Sequence, residues 1–300
     1  MFGFSGDVVI EDEFLRDGLQ NEGRLLPLAA KLAFVRGLEE AGVRRIQLGS
    51  FVNPARVPQM ADTDALFTAI ERRPGVTYTA LVLNMAGLER ALAAGVPHLS
   101  ISVSASESHS RSNVGKSVDE AIRHIAPVIE RALGEGVAVR AGIQSAFGCG
   151  FEGKFAPERV VAIAGTFDGL GVHEINLADT AGLGNPRQVF ELTGAVRAAV
   201  RPDIGLSLHL HDTRGLGLAN MVAGLHAGVR IFDAALGGLG GCPFIPAASG
   251  NIATEDAVFA LEEMGIATGI DWQALAALSR QLGDLLGRRL PGRMAHVVAR

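Results

Sequence analysis

The chain alternates short β-rich runs with longer amphipathic segments eight times, and this alternation constrains its fold more than any other feature. Runs rich in Val, Ile and Leu predict strands, and apolar residues spaced three and four apart predict helices. Parallel strands joined by helices, repeated eight times, close into a barrel. The predicted strands are 7–14, 44–51, 77–83, 98–104, 137–145, 174–179, 205–211 and 231–236, and the predicted helices between them are 28–41, 62–73, 87–94, 118–134, 157–170, 186–200 and 218–227.

The chain has 300 residues, whereas a (β/α)8 barrel typically takes about 250. Helical patterns at 254–264 and 272–286 occupy the remainder. We therefore predict an α/β fold, a (β/α)8 TIM barrel with extra C-terminal helices. It forms a single domain over 1–300, with the barrel at about 7–240 and the added helices at about 252–290.

Composition excludes several classes of partner. A net charge of −5 and a pI near 5.9 provide no basic field for nucleic acid or for an anionic membrane. No apolar window approaches the length of a membrane span, and the first residues lack the pattern of a signal peptide. Two cysteines, Cys149 and Cys242, form no disulfide framework. We expect a cytoplasmic protein with free thiols.

The strongest local signal is the run Ser-Leu-His-Leu-His-Asp-Thr-Arg-Gly at residues 207–215. Alternate residues of a strand share a face, so His209 and His211 lie about 7 Å apart along it and can bind one cation. An isolated His-x-His also occurs by chance on buried strands. The metal interpretation therefore requires further ligands.

Barrel closure supplies candidates for those ligands. Active sites lie at the carboxyl ends of barrel strands, and strands 7, 8 and 1 are neighbours in a closed barrel. Arg16 and Asp17 follow strand 1, and Asn251 follows strand 8. Asp17, His209, His211 and Asn251 form a set of oxygen and nitrogen ligands that suits a divalent ion, Mg²⁺ or Mn²⁺.

Seven motifs, in order from about residue 7 to 270, resemble those of the hydroxymethylglutaryl-CoA lyase family. They begin with Leu-Arg-Asp-Gly-Leu-Gln-Asn-Glu at 15–22 and include the run from Ser50 to Met60, Cys149 with Glu152-Gly-Lys154, Ala178 to Gly182, His209 to Thr213, Gly-Leu-Gly-Gly-Cys-Pro at 238–243 and Ser249 to Asp256. Related barrel synthases and aldolases share Arg-Asp-Gly and His-x-His but lack the Gly-Gly-Cys-Pro loop. The lyase branch is therefore favoured.

The resemblance implies cleavage of a 3-hydroxy-3-methylglutaryl thioester to acetyl-CoA and a 3-oxo acid. A metal activates the C3 hydroxyl, Arg16 stabilises the enolate that forms, and Cys242 returns a proton. Asp179 orients His209 or takes a proton, unless it only caps its loop. The resemblance also implies that Gln20, Ser106 and Asn113 contact the CoA thioester, although Ser and Asn are common turn residues. We expect a homodimer.

Two segments depart from the family pattern. Gln47 stands where the family has a catalytically important glutamate, and Glu11 to Leu15 replaces a common Val-Gly-Pro segment. An amide forms hydrogen bonds but carries no charge, so we expect a changed acyl substituent. Two other functions stay open: a condensing synthase or aldolase acting on another acyl-CoA or hydroxy acid, and a barrel that binds metal without catalysis.

Cys242 provides a test that needs only the sequence. If its thiol delivers the final proton, Cys242→Ser should lower kcat about 100-fold or more, the usual scale for loss of a positioned acid. Folding and metal binding should be unchanged, as measured by thermal melting and by metal titration. A wild-type kcat in this variant would exclude the role.

Overall fold

The computed structural model describes residues 7–241 and 250–297, in which eight parallel strands close into a barrel. Strand β1 pairs with β8, with Val9 opposite Ile231 and Asp12 opposite Ala234. The strands are β1 Val9–Asp12, β2 Arg45–Ser50, β3 Thr77–Leu81, β4 His98–Ser104, β5 Ala138–Gln144, β6 Glu174–Asp179, β7 Gly205–Leu210 and β8 Ile231–Ala234. The predicted (β/α)8 fold is confirmed.

Ten α-helices occur in the described residues, and they match the predicted positions with one addition. They are α1 Leu28–Glu40, α2 Thr63–Ala69, α3 Met85–Ala93, α4 Glu107–Val114, α5 Val118–Gly134, α6 Pro157–Gly169, α7 Pro186–Ala199, α8 Gly217–His226, α9 Thr254–Glu263 and α10 Trp272–Leu286. The sequence interpretation treated the region of α4 as loop. This helix is short and polar, so it lacks the apolar periodicity that predicts a helix. None of the described helices is long and apolar enough to cross a membrane.

Apolar and polar side chains divide between the two faces of the barrel wall. The apolar core lies outside the strands, where residues such as Ile10, Ile46, Ile101 and Leu208 pack beneath the helices. The interior is polar, because the alternate strand positions carry charged or hydrogen-bonding side chains. These include Glu11, Arg45, Gln47, Thr79, Arg140, Glu174, Asn176, Ser207 and Asp233, all buried.

Arg140 on β5 is the centre of this interior. Its guanidinium donates to Glu11 at 2.9 Å, to Asp233 at 2.7 Å and to Glu13 at 2.6 Å. A buried charge is costly unless it is paired and hydrogen-bonded, and these three carboxylates satisfy both conditions. Because β5 lies opposite β1 and β8, the contacts cross the barrel.

A second buried link joins the barrel to the C-terminal helices. Asp12 is fully buried; it accepts a hydrogen bond from the Phe14 amide at 3.0 Å and contacts the Thr254 hydroxyl at 2.5 Å. Thr254 begins α9, so this carboxyl group attaches α9 to the end of β1. Burial raises the pKa of Asp12 to about 7, although its hydrogen bonds with Thr254, Phe14 and Leu236 lower it.

This pKa predicts a dependence of stability on pH. The folded state holds the Asp12 proton more tightly than the unfolded chain, whose carboxyl pKa is near 3.8, so this contribution is complete below about pH 4 and is lost as pH rises to about 7. Three pKa units correspond to about 4 kcal/mol. Asp12→Asn keeps the shape of the side chain and an oxygen that can accept from the Phe14 amide, without the charge. We expect its unfolding free energy, relative to wild type, to rise by up to about 4 kcal/mol between pH 4 and pH 8. Parallel denaturation curves for the two proteins would contradict this.

Candidate active site

The segment after β1 turns sharply and carries two predicted site residues. Residues Phe14–Gly18 form a single π-helical turn, in which the Asp17 and Gly18 amides donate to the Glu13 carbonyl at 2.8 and 3.2 Å. The strand therefore ends at Asp12 rather than at residue 14 as predicted. Such turns are frequent at functional sites, and this one brings Arg16 and Asp17 to the carboxyl end of the barrel.

Asp17, His209 and His211 converge at this end of the barrel. The Nε2 atoms of the two histidines lie 3.0 Å apart, and Asp17 Oδ2 lies 3.9 Å from His209 Nε2 and 3.7 Å from His211 Nε2. All three residues are buried. Burial alone would raise the pKa of Asp17, but Arg16 and the two histidines hold it well below its usual range. The cluster can hold a metal ion.

Asn251 completes the group that the sequence places together. It pairs with His211 in an isolated bridge, and its amide nitrogen donates to Asp17 Oδ2 at 2.7 Å and to the Leu239 carbonyl at 2.9 Å. Its buried Oδ1 has no hydrogen-bond partner among the described residues. Gly240 passes so close that a Cβ there would lie 2.6 Å from Asn251 Nδ2. The donor set therefore fits a divalent cation, with one buried oxygen still to be satisfied.

Two carboxylates support His209 from behind. Its Nδ1 lies 3.3 Å from Asp233 Oδ2 and 3.4 Å from Glu13 Oε2. Burial lowers the pKa of His209, but hydrogen bonds to Asp233 and Glu13 and the charges of Glu13 and Asp17 raise it to about 10. A proton held on Nδ1 leaves Nε2 facing Asp17 and His211, as a metal-ligating histidine requires.

Arg16 lies beside the cluster and is held by three acceptors. Its Nη1 donates to Asp17 Oδ1 at 2.6 Å, its Nη2 to Glu13 and its Nε to the Gln47 amide oxygen. Gln47 is fully buried on β2 and also lies 3.5 Å from Glu11 and from Thr79. Gln47 therefore contacts Arg16 from the interior of the barrel.

A cavity of about 310 Å³ opens over these groups. Arg16, Asp17, His209 and His211 line its polar end, and Val52, Val57, Met60, Leu81 and Leu83 form an apolar wall. A second cavity of about 490 Å³ shares Val52, Val57 and Asn113 with the first and is lined by Arg56, Lys116 and His124. The two cavities are therefore neighbours, and the second has basic side chains in its lining.

The other predicted site residues are distributed as follows. Gln20 lines the first cavity and donates to Asp17 Oδ1 at 3.0 Å, and Asn113 lies where the cavities meet. Ser106 is the buried N-cap of α4 and bonds Glu152 at 2.9 Å. Asp179 accepts from the Leu183 and Gly184 amides at 2.8 and 2.9 Å, which holds the loop after β6. Cys242 lies outside the described residues.

The sequence interpretation missed the residues that support the site from within the barrel. Glu13, Arg140 and Asp233 connect His209 and Arg16 to the interior network. A charged residue inside an otherwise apolar strand is the signal that could have identified Arg140 and Asp233. Glu13 was noticed only as part of an unusual segment before Arg16.

A closed barrel with a buried Asp-His-His cluster and an arginine at its carboxyl end is the architecture of a barrel enzyme. The model of the HMGL-like family matches residues 7–282. Hydroxymethylglutaryl-CoA lyase of Pseudomonas mevalonii is 42% identical over 91% of this chain and 90% of its own, and (R)-citramalyl-CoA lyase of Chloroflexus aurantiacus is 43% identical over 95% and 92%. A solved HMG-CoA lyase from Acinetobacter baumannii, in complex with coenzyme A and 3-methylmalate, superposes with a TM-score of 0.93 at 40% identity, covering 99% of this chain and 97% of its own.

The chain belongs to the HMGL-like family. It is a lyase of the CoA-thioester type, as the sequence motifs predicted.

The geometry predicts one divalent cation per chain. His211→Ala removes one of the four converging donors, so it should weaken Mn²⁺ binding by more than the 10- to 100-fold typical for loss of a supporting residue. His226→Ala, an exposed histidine at the end of α8, is the matched control and should bind as wild type does. Calorimetric titration measures both. Equal affinities in the two variants would mean that the cluster is not the metal site.

Proposed function

We propose that this chain is a divalent-metal-dependent lyase that cleaves a 3-hydroxy-3-methylglutaryl-CoA-like thioester to acetyl-CoA and a 3-oxo acid. The observation that carries the proposal is a single cavity that contains both the Asp17-His209-His211 cluster and the guanidinium of Arg16. The cluster suits a hydroxyl and a carboxylate, and the arginine suits the charge that appears when the carbon-carbon bond breaks.

Asp17, His209, His211 and Asn251 would hold the cation, with Mg²⁺ or Mn²⁺ matching their oxygen and nitrogen donors. When bound, a divalent cation polarises the C3 hydroxyl and fixes the carboxyl end of the substrate. Asp233 and Glu13 hold the proton of His209 on Nδ1, so that Nε2 stays directed toward the ligand. Gln20 donates a hydrogen bond to Asp17 Oδ1, whereas Asp17 Oδ2 faces the two histidines.

Arg16 stabilises the enolate. Cleavage of the C2–C3 bond turns the C3 hydroxyl into a ketone, with the hydroxyl proton passing to a base that we assign to Asp179 on the basis of its motif. The electron pair of the broken bond stays on C2, from which negative charge spreads to the thioester oxygen. A guanidinium has five N–H groups, and three of those of Arg16 are used by acceptors among the described residues. Counted over those residues, two N–H groups remain for that oxygen. The enolate then takes a proton at C2, which we assign to Cys242 on the basis of its motif.

The second cavity accommodates the CoA portion. Arg56 and Lys116 provide positive charge for its phosphates, and the apolar residues Val52 and Val57, which both cavities share, suit the pantetheine arm. Asn113 lies at the junction, in a position to bond an amide of that arm. Ser106 acts on this region indirectly, because it caps α4, the helix that carries Asn113.

The relatives define the range of acyl groups to examine. One is a hydroxymethylglutaryl-CoA lyase and another an (R)-citramalyl-CoA lyase, at 42% and 43% identity. Their substrates share a tertiary hydroxyl carbon next to the cleaved bond and differ in the length of the acid beyond it. We propose that this chain acts on a member of this group, and that the Arg16-Gln47 pair determines which acyl substituent it accepts.

A panel of 3-hydroxy-3-substituted acyl-CoAs tests the function. With Mn²⁺ present, we expect the wild-type protein to convert one of them to acetyl-CoA and an oxo acid, identified by mass. Arg16→Gln should lower kcat by about 100- to 1000-fold, the scale for a lost oxyanion donor. Release of free CoA from acetyl-CoA and an oxo acid would instead indicate a synthase. Cleavage that persists unchanged in Arg16→Gln would exclude the enolate role.

A further inference from the structure

Glu13 is a fully buried carboxylate that touches two functional groups and one structural group. Its Oε2 accepts from Arg16 Nη2 and lies 3.4 Å from His209 Nδ1, while its Oε1 accepts from Arg140 at 2.6 Å. Glu13 therefore contacts both Arg16, the candidate enolate stabiliser, and the Nδ1 side of His209, a candidate metal ligand.

The barrel does not need Glu13 merely to neutralise Arg140. Arg140 also donates hydrogen bonds to Glu11 at 2.9 Å and to Asp233 at 2.7 Å, and it lies 3.8 Å from Glu174. Arg16 has fewer carboxylate partners, because its contacts other than Glu13 are the neutral amide of Gln47 and the Oδ1 of Asp17. Asp17 also faces the two histidines, so a bound cation would draw its charge away from Arg16.

Glu13 is surrounded by three basic side chains, Arg16, Arg140 and His209. A carboxylate and a guanidinium form a directional pair, so the Glu13 contact fixes the plane of the Arg16 guanidinium as well as its charge.

We propose that Glu13 is the positioning residue that aims Arg16 at the thioester oxygen, and that position 47 is neutral because the carboxylate of this pair comes from the residue that follows strand β1. The proposal deepens the proposed function and relies on it. Gln47 and Glu13 hold adjacent edges of one guanidinium, through Nε and Nη2. A charge at both positions would add a carboxylate near Glu11, which already lies 3.5 Å from Gln47 Nε2.

The proposal can be tested by moving the carboxylate that pairs with Arg16 from position 13 to position 47. Glu13→Gln should lower kcat about 10- to 100-fold with little change in KM, because a misplaced catalytic group reduces turnover. Adding Gln47→Glu to that variant restores a carboxylate to Arg16 and should recover most of the lost kcat. Gln47→Glu alone should be less active than wild type, since it crowds the cluster with charge. Glu13→Asp keeps the charge and serves if Glu13→Gln does not fold.

Glu174→Gln is the matched control. Glu174 is a buried carboxylate of the same interior network that pairs with Arg45 at 2.7 Å and lies 3.8 Å from Arg140. It has no contact with Arg16 or His209 among the described residues. Its loss should lower the melting temperature and leave kcat unchanged.

Crystal structures of the wild type, of Glu13→Gln and of the double variant separate this proposal from the proposed function. We expect the Arg16 guanidinium to turn away from the cavity in Glu13→Gln and to return in the double variant. Equal kcat losses in Glu13→Gln and Glu174→Gln, no recovery in the double variant, or an unmoved Arg16 would each overturn the proposal. If the wild type cleaves no thioester, the proposed function fails, and the position of Arg16 still decides the role of Glu13.

Discussion

The hydrogen-bonded charge of Arg140 is the interaction on which the interior of this barrel depends. An unpaired guanidinium inside a protein would cost many kcal/mol, so the surrounding strands must bring carboxylates to it. Glu11 and Glu13 come from the β1 end and Asp233 from β8, across the barrel from β5. The same contacts that satisfy Arg140 therefore fix the floor of the candidate active site, because Glu13 and Asp233 also face His209.

The charged side chains of this interior share partners, so their total charge matters more than any single ion pair. In the described residues of the network and the candidate metal cluster, five carboxylates meet three guanidinium groups. With both histidines counted as neutral, as metal ligands are, the formal net charge is −2: Glu11, Glu13, Asp17, Glu174 and Asp233 against Arg16, Arg45 and Arg140. A divalent cation at Asp17 would balance it. A glutamate at position 47 would add a further negative charge, which gives an electrostatic reason for the amide found there.

The sequence was sufficient for the barrel and for the convergence of the cluster, because both follow from local patterns. Apolar alternation located every strand, and barrel closure then placed Asp17 and Asn251 beside the two histidines. The interior network was beyond this reasoning, since Glu11 and Arg140 are separated by 129 residues. Each charged side chain was visible as an anomaly in its own strand. Only the register of the closed barrel shows that these side chains share one space. The π-helical turn at Phe14–Gly18 was missed for a similar reason, because its backbone geometry has no periodic signature.

Two departures from the family pattern, Gln47 and Glu13, looked independent in the sequence, yet they meet on one guanidinium. When each position is compared with the family pattern separately, residue 47 lacks a carboxylate and residue 13 carries an extra one without apparent reason. Gln47 accepts from Arg16 Nε and Glu13 from Arg16 Nη2, so in our proposal the position of the guanidinium depends on both acceptors. The functional unit is therefore the arginine with its acceptors. A substitution at one acceptor is interpretable only when the charge of the other is known.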